Sequence, residues 1–400
     1  MRGFGLFVML AVLACPAFAE DRLSVAELEK AIAANHGKSD KDMAQRLGNL
    51  ELTERLSTVR LQRLEAELPG EKARLALLAL GDASAFLDLP PYDVPALAPP
   101  DPATQGKIMS RAADFVMSTI SKMPDFFAMR TITRFQDLKV SSVYRYTVVV
   151  PNHSFLFLDR SNATVLFRNG REVVEAAEKN KKGTALTAST GLTNWGVFGP
   201  LLGLVMADIL KGKMGWGHWE QGATGQVAVF RYQVPEDRSN YTVRYCCFFG
   251  NQGAMREYEG IPEYHGEIAI DPASGAVLRL VVKTDLKPGP PISRSDVAVE
   301  YSSVEIGGKS YICPVKSISI TTAAAMVFHG VMLYDGRRVE KPVEEPNVTA
   351  INDVAFEKYH QFRTEMRILP ADGADPNADP NAVPNATPPA PPPTPQARKP

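Results

Sequence analysis

Four glutamates lie close together in the second half of the chain, at Glu257, Glu259, Glu263 and Glu267. Two carboxyl groups can act as a general acid and a general base where their surroundings separate their pKa values. Carboxylates on solvated loops are the more common case, and the pattern identifies neither a nucleophile nor a base. A carboxylate-based hydrolase is therefore one of three functional hypotheses, and we expect a protein without enzymatic activity.

Sequence motifs for other chemistries are absent. The chain contains no G-x-S-x-G, H-E-x-x-H, P-loop, dinucleotide-binding or EF-hand pattern. Its six histidines lack the spacing of metal ligands; they are His36, His153, His218, His265, His329 and His360. Trp216, His218 and Trp219 form an aromatic cluster beside Glu220, which either lines a pocket or belongs to the core. We predict no catalytic residue, no metal site and no cofactor.

The first nineteen residues have the layout of a secretory signal peptide. Arg2 precedes an apolar run at 4–14, and the small residues Ala17 and Ala19 frame a cleavage site after Ala19. The run is shorter than the roughly twenty residues that cross a bilayer, and no later segment is a better candidate. We expect a periplasmic or secreted protein. The alternative is a lipid anchor on Cys15, because residues 12–15 loosely resemble a lipoprotein cleavage box.

The composition excludes a nucleic-acid-binding surface. The chain has 400 residues, 45% of them hydrophobic, with 44 basic and 45 acidic side chains. A protein that binds nucleic acid has a marked basic excess or a basic stripe, and neither is present here. The length is ample for a large core and indicates about two folded units.

Three cysteines remain after the signal peptide, namely Cys246, Cys247 and Cys313. An odd number in an oxidising compartment allows one intramolecular disulfide at most. Cys246 and Cys247 are adjacent on a predicted strand, so their side chains point to opposite faces. We expect either a disulfide from one of them to Cys313 or three small buried thiols.

The segment at 20–88 is predicted to form a small helical module. Ser24 and Glu27 fit a capping box, Gly37 suits a helix end, and Ser39 suits a second start. A third helix is expected over 51–68. The module is either a partner-binding unit or a self-contained helical cap. A Pro-rich linker follows at 89–103.

The segment at 104–369 is predicted to be mainly β. A helix over about 107–122 precedes strands with period-two alternation, and a largely buried helix at 197–210 is inserted between strands. Asp271, Pro272 and Gly275 predict one tight hairpin, and Gly307-Gly308 predicts another. We expect an α+β fold in which a curved antiparallel sheet or incomplete β-barrel is packed with helices. The Pro-rich tail at 370–400 is predicted to be disordered.

The hairpins carry a resemblance to a known family. Residues 266–279 form a strand, an acidic-proline-glycine turn and an aliphatic strand that ends with Arg279; residues 299–309 lead through a second hairpin to Pro314. This pattern, with the helix before the first strand, resembles the LolA-like periplasmic lipoprotein carriers and their RseB-like relatives. The resemblance covers 104–369 at most. The whole layout is also similar to uncharacterised secreted bacterial proteins.

The resemblance implies a half-barrel with helices over a concave, apolar face. Such a face could bind acyl chains of a lipid or an acylated protein, and each buried methylene contributes about 0.8 kcal/mol. The residues expected to line this groove are Ile268, Ile270, Leu278, Leu280 and Val299. The opposite expectation is that helices fill the concavity. The remaining hypothesis is an envelope scaffold or sensor that holds protein partners through the helical module and the Pro-rich tail.

Overall fold

The computed structural model describes residues 21–143, 146–174, 191–192, 200–223, 225–249, 255–287, 291–332 and 338–362. The predicted signal peptide and Pro-rich tail lie outside these residues. The described residues, which end at Phe362, belong to one compact unit. No helix within the described ranges combines the length and the apolar character needed to cross a bilayer.

Helices occupy the N-terminal part of the described chain and two later positions. They are α1 (Val25–Ala34), α2 (Asp40–Gly48), α3 (Thr58–Glu67), α4 (Glu71–Ala83), α5 (Pro102–Lys122) and α6 (Pro200–Ile209).

The strands fall mostly after α5. They are β1 (Asp21–Leu23), β2 (Leu50–Leu52), β3 (Phe126–Val143), β4 (Tyr146–Arg168), β5 (Arg171–Val174), β6 (Gly191–Leu192), β7 (Lys213–Gln221), β8 (Gln226–Val234), β9 (Val243–Phe249), β10 (Met255–Gly260), β11 (Glu263–Ile270), β12 (Val277–Asp285), β13 (Ile292–Ile306), β14 (Lys309–Met332) and β15 (Arg338–Gln361).

Local capping signals fix where the first helices begin. The Ser24 hydroxyl accepts from the Glu27 amide, and the Glu27 carboxylate accepts from the Ser24 amide at 2.8 Å, so the predicted capping box is present. Ser39 caps α2 in the same manner. The third helix starts later than predicted, at Thr58, because Ser57 caps it and because 50–52 pair in parallel with β1.

Ten strands form one large antiparallel sheet in the order β5-β4-β3-β15-β14-β13-β12-β11-β8-β7. The sheet is curved and does not close, and helices pack on it, which confirms the predicted α+β class. Both predicted hairpins are present: one turns at 271–276, and the other turns at Gly307 and Gly308, which both have positive φ. A smaller sheet contains β10, β9 and β6.

Three strands of the large sheet are not predicted from the sequence. The residues of β7 are interpreted there as an aromatic cluster, and β5 and β15 have no predicted counterpart. β15 lies between β14 and β3, so the first long strand of the chain pairs with the last one described, from Phe126 opposite Gln361 to Gln136 opposite Ala350. The hairpin meander from β7 to β14 is joined to β3, β4 and β5 through this pairing.

The large sheet is covered by helices on both faces. We call inner face the side on which α5 and α6 pack; its core includes Phe230, Ile268 and Leu280. We call outer face the side toward α4, where the sheet residues Val281 and Ile320 pack with helical-segment side chains. A second cluster joins α1 to α4 into a core of their own. The helical segment is therefore a layer fastened to the outer face of the sheet.

A close contact with the turn between β11 and β12 positions α5 on the inner face. Arg111 of α5 donates to the Pro272 carbonyl at 2.9 Å, in the turn between β11 and β12. Gly275 in that turn has φ +79°, and a Cβ there would lie 2.5 Å from the Arg111 carbonyl oxygen. Only glycine allows both the left-handed backbone and this contact.

Candidate functional site

Four of the five residues expected to line an apolar groove lie together on the inner face. Ile268, Ile270, Leu280 and Val299 are each 0% exposed. They belong to the same core cluster as the apolar residues of α5 and α6. The protein's own helices therefore fill the expected groove at these positions, which is the second of the two alternatives that the sequence left open.

The fifth residue, Leu278, lies on the opposite face. Ala269 pairs with Arg279 and Ile270 pairs with Val277, so Leu278 is an extra residue in the ladder. Such a bulge reverses the alternation of side chains along the strand. Leu278 packs with Val227, Val229 and Ala269 rather than with α5, and the sequence alternation alone could not show this.

The four glutamates considered for acid–base chemistry belong to two different sheets. Glu257 and Glu259 lie on β10 of the small sheet, whereas Glu263 and Glu267 lie on β11 of the large one. Glu259 and Glu267 each pair with arginines, Glu267 with Arg231 at 3.2 Å. These are structural ion pairs on strands, and the hypothesis of a carboxylate-based hydrolase gains nothing from them.

The structure tests the predicted disulfide at Cys313 and describes the side chain of this cysteine alone among the three. This residue is a free, buried thiol on β14, so no disulfide joins it to Cys246 or Cys247 in this structure. Burial raises the pKa of the Cys313 thiol to about 12. The side chains of Cys246 and Cys247 lie outside the described part of the chain. No group of residues within the described ranges could hold a metal ion.

The aromatic cluster divides between the two faces. The rings of Trp216 and Trp219 lie 4.9 Å apart and pack against the inner core, with Phe230 5.4 Å from Trp216. Glu220 points to the other side, where His218 contacts it at 3.0 Å. A register shift between Trp216 and His218 accounts for this separation.

Glu220 is the centre of a buried ionic network between the helical segment and the sheet. Its carboxylate accepts from Arg279 of β12 at 2.6 and 2.7 Å, and from Arg55 of the segment before α3 at 2.7 Å. Burial alone would raise the pKa of Glu220, but hydrogen bonds from Arg279 and His218 and the charges of both arginines outweigh it. The pKa is held well below its usual value, so the carboxylate is a permanent anion rather than an acid–base catalyst.

A second buried cluster joins α4 to the centre of the sheet. The Lys316 ammonium of β14 lies 2.9 Å from Asp82 of α4 and 2.9 Å from Asp353 of β15. Asp82 is fully buried, and burial together with the charge of Asp353 raises its pKa well above the usual value despite Lys316. Asp82 therefore holds a proton at a pH where an exposed aspartate is ionised.

A cavity of about 550 Å³ lies between the helical segment and the outer face of the sheet, and none of the residues of these two clusters lines it. Its walls come from α2, β2 and α4 on one side and from the outer face of the sheet on the other. Its apolar lining is Leu47, Leu50, Leu52, Ala76, Ala79, Leu80, Ala83, Phe86, Leu87, Phe155 and Ile320. Glu51 and Leu87 are exposed, so the cavity reaches solvent at that end.

Seven polar residues also line the cavity. They are Glu51, Ser84, Asp137, Lys283, Arg294, Asn347 and Thr349. Glu51 pairs with Arg22 at 3.2 Å, and Asp137 accepts from the Thr349 amide at 2.8 Å. The cavity therefore has a mixed lining, in which apolar side chains and polar groups face the same space, as they do in small-molecule sites.

Sequence reasoning did not find this cavity, because its walls are far apart in the chain. One signal is visible in retrospect. Ala76, Ala79 and Ala83 recur at helical spacing on α4, so the face of this helix toward the cavity carries three small side chains beside Leu80. A helix with such a face leaves space above the surface that it covers.

Comparisons with known proteins found no matching family model, no matching curated protein and no matching solved structure. The resemblance to LolA-like carriers therefore stays a prediction.

Proposed function

We propose that this is an exported envelope protein that binds the acyl chain of a lipid or of an acylated protein in the cavity between its helical segment and its sheet. The observation that carries the proposal is the cavity itself, about 550 Å³, in which apolar side chains of α2, β2 and α4 face the sheet beside a set of polar groups. Ligand sites in proteins commonly enclose about 300–1,000 Å³. The signal-peptide pattern of the first nineteen residues supports export.

The free energy of burying apolar groups favours an acyl chain over water in the cavity. Each methylene removed from water contributes about 0.8 kcal/mol, so eight buried methylenes would supply about 6 kcal/mol before the cost of ordering the chain. The inner face is already filled by α5 and α6. The outer-face cavity is thus the site that the described residues offer to an acyl chain.

The scaffold hypothesis has weaker support. The apolar side chains of α1 to α4 are used in their own core and against the sheet, so the helical segment is committed to the rest of the chain. Binding of a protein partner through the Pro-rich tail stays a prediction, because the tail lies outside the described residues.

A binding experiment tests the proposal. The purified mature chain is titrated with a fluorescent fatty-acid probe, and native mass spectrometry is used to look for co-purified lipid. We expect saturable binding by the wild-type chain. Ala76→Phe and Ala83→Phe place a ring in the cavity and are each expected to weaken binding at least tenfold.

The matched control is Ala103→Phe, which adds the same ring at an exposed position of α5 away from the cavity. It should leave the affinity unchanged, and circular dichroism should show that all variants are folded. No probe binding by the wild-type chain, or equal affinity of folded cavity variants and control, would overturn the proposal.

A further inference from the structure

We infer that the ligand of the outer-face cavity is an anionic amphiphile, whose carboxylate or phosphate head is bound by Lys283 and Arg294. This inference rests on the proposed function and adds the chemistry of the head group. It starts from two cations that line the same cavity and converge on the same residue, Phe86.

Lys283 of β12 is a half-buried cation with a weak partner. Its ammonium donates to the Phe86 carbonyl at 3.4 Å, longer than the usual N–H···O distance of about 2.7–3.2 Å. It forms no ion pair with any residue in the described ranges. A lysine ammonium has three donors, so most of its hydrogen-bonding capacity is available to a ligand.

Arg294 of β13 contacts the ring of the same Phe86. Its guanidinium carbon is 5.5 Å from the centre of the Phe86 ring, and its Nε donates to Asp296 at 2.6 Å. The Nε contact fixes the plane of the guanidinium and leaves the two terminal nitrogens outside that ion pair. Terminal guanidinium nitrogens match the geometry of carboxylate and phosphate oxygens.

Neither of the two acidic groups that line the cavity forms an ion pair with Lys283. Glu51 is paired with Arg22, and Asp137 accepts from the Thr349 amide; Asp296, which is outside the lining, is paired with Arg294. A positive charge beside an apolar space is the arrangement that a single-chain amphiphile with an anionic head would complete: the chain fills the apolar part and the head replaces the water around Lys283.

The inference is tested with three ligands that share one acyl chain. Lauric acid has a carboxylate head, lauroyl lysophosphatidic acid a phosphate head, and monolaurin a neutral glycerol head. Isothermal titration calorimetry is performed below the micellar concentration of each. We expect the wild-type chain to bind at least one anionic ligand tenfold or more tightly than monolaurin, and the ranking of the two anions identifies the preferred head.

Substitutions of lysines test the contribution of the Lys283 charge separately from any effect on folding. Lys283→Met should lose the preference for anionic heads while it keeps the affinity for monolaurin, and Lys283→Arg should retain the preference. Lys309→Met removes an exposed lysine at the β13–β14 turn, away from the cavity, and should behave as wild type.

The outcomes distinguish this inference from the proposed function. If the wild-type chain binds all three ligands equally, or if folded Lys283→Met keeps the anionic preference, the head-group assignment is wrong and acyl-chain binding stands. If none of the three ligands binds, the proposed function fails, and the head-group assignment fails with it.

Discussion

Glu220→Gln is the substitution that should most directly test how the helical segment is fastened to the sheet. The change keeps the shape of the side chain and removes its charge. Arg55 and Arg279 are then left in a site where their side chains are only 9% and 14% exposed. Removing one partner from a buried ion pair costs about 3–5 kcal/mol, because the remaining charge loses its compensation. Here Arg55 loses its ion pair, whereas Arg279 keeps a longer contact with Glu267 at 3.4 Å. We expect a loss of this size in the free energy of unfolding, measured by urea denaturation.

The pH dependence of the free energy of unfolding is a second test of the Glu220→Gln prediction. The pKa of Glu220 in the folded protein lies well below its usual value. The stability that this carboxylate contributes is therefore fully present above its unfolded pKa of about 4.3, and it is lost as the pH falls below that value. The difference in stability between the wild-type chain and Glu220→Gln should accordingly narrow in acid.

The matched control is Glu259→Gln, which removes a carboxylate from a solvent-exposed pair with Arg244. Exposed pairs contribute about 0–1 kcal/mol, so this variant should stay close to the wild type. A loss for Glu220→Gln no greater than that of the control, or a difference that does not change with pH, would refute the reasoning.

Three further substitutions test other parts of the structure. Asp82→Asn removes a carboxyl group whose raised pKa makes its contribution to stability decline as the pH rises above its unfolded pKa of about 4; urea denaturation at several pH values should therefore give a flatter profile for the variant, and a profile as steep as that of the wild type would contradict this. Gly275→Ala should lower the free energy of unfolding by more than the roughly 1–2 kcal/mol of a left-handed alanine, because the new Cβ meets the Arg111 carbonyl. Gly308→Ala has no atom within 4 Å of the new Cβ and should lose only this backbone contribution. Equal losses of the two variants in thermal unfolding would exclude the Arg111 contact as the cause. Ile268→Ala should lose about 2–5 kcal/mol in urea denaturation, and a loss below 1 kcal/mol would show that the inner face is open rather than filled.

The features predicted from the sequence are those with local signals. The capping box at Ser24, the turn that closes at Gly275 and the Gly307-Gly308 hairpin each depend on residues a few positions apart, and the structure confirms them. Alternation over several segments was enough to predict the class of the large sheet. These signals do not depend on what the segment packs against.

The features that sequence analysis missed depend on long-range contacts. β15 contains Pro342 and Pro346 and many charged residues, so its composition does not indicate an interior strand. Helices cover both faces of the sheet, so the alternation of polar and apolar residues along a strand does not mark an exposed face: Ser317 and Ser319 of β14 are polar and yet buried. The small residues of α4 are the only local signal of the candidate cavity among the described residues: Lys283 and Arg294 acquire their common environment only when α4 docks on the sheet.

The position of β15 has a consequence for biogenesis. Because the last described strand lies between β14 and β3, the sheet remains in two separate parts until nearly the whole chain has been synthesised. Joining them closes a very long loop, and contacts of that kind slow folding. Until then β3 and β14 each present an unpaired edge, which is the state most exposed to aggregation. A chain with this topology would therefore benefit from a chaperone that covers these two edges until β15 is available to pair with them.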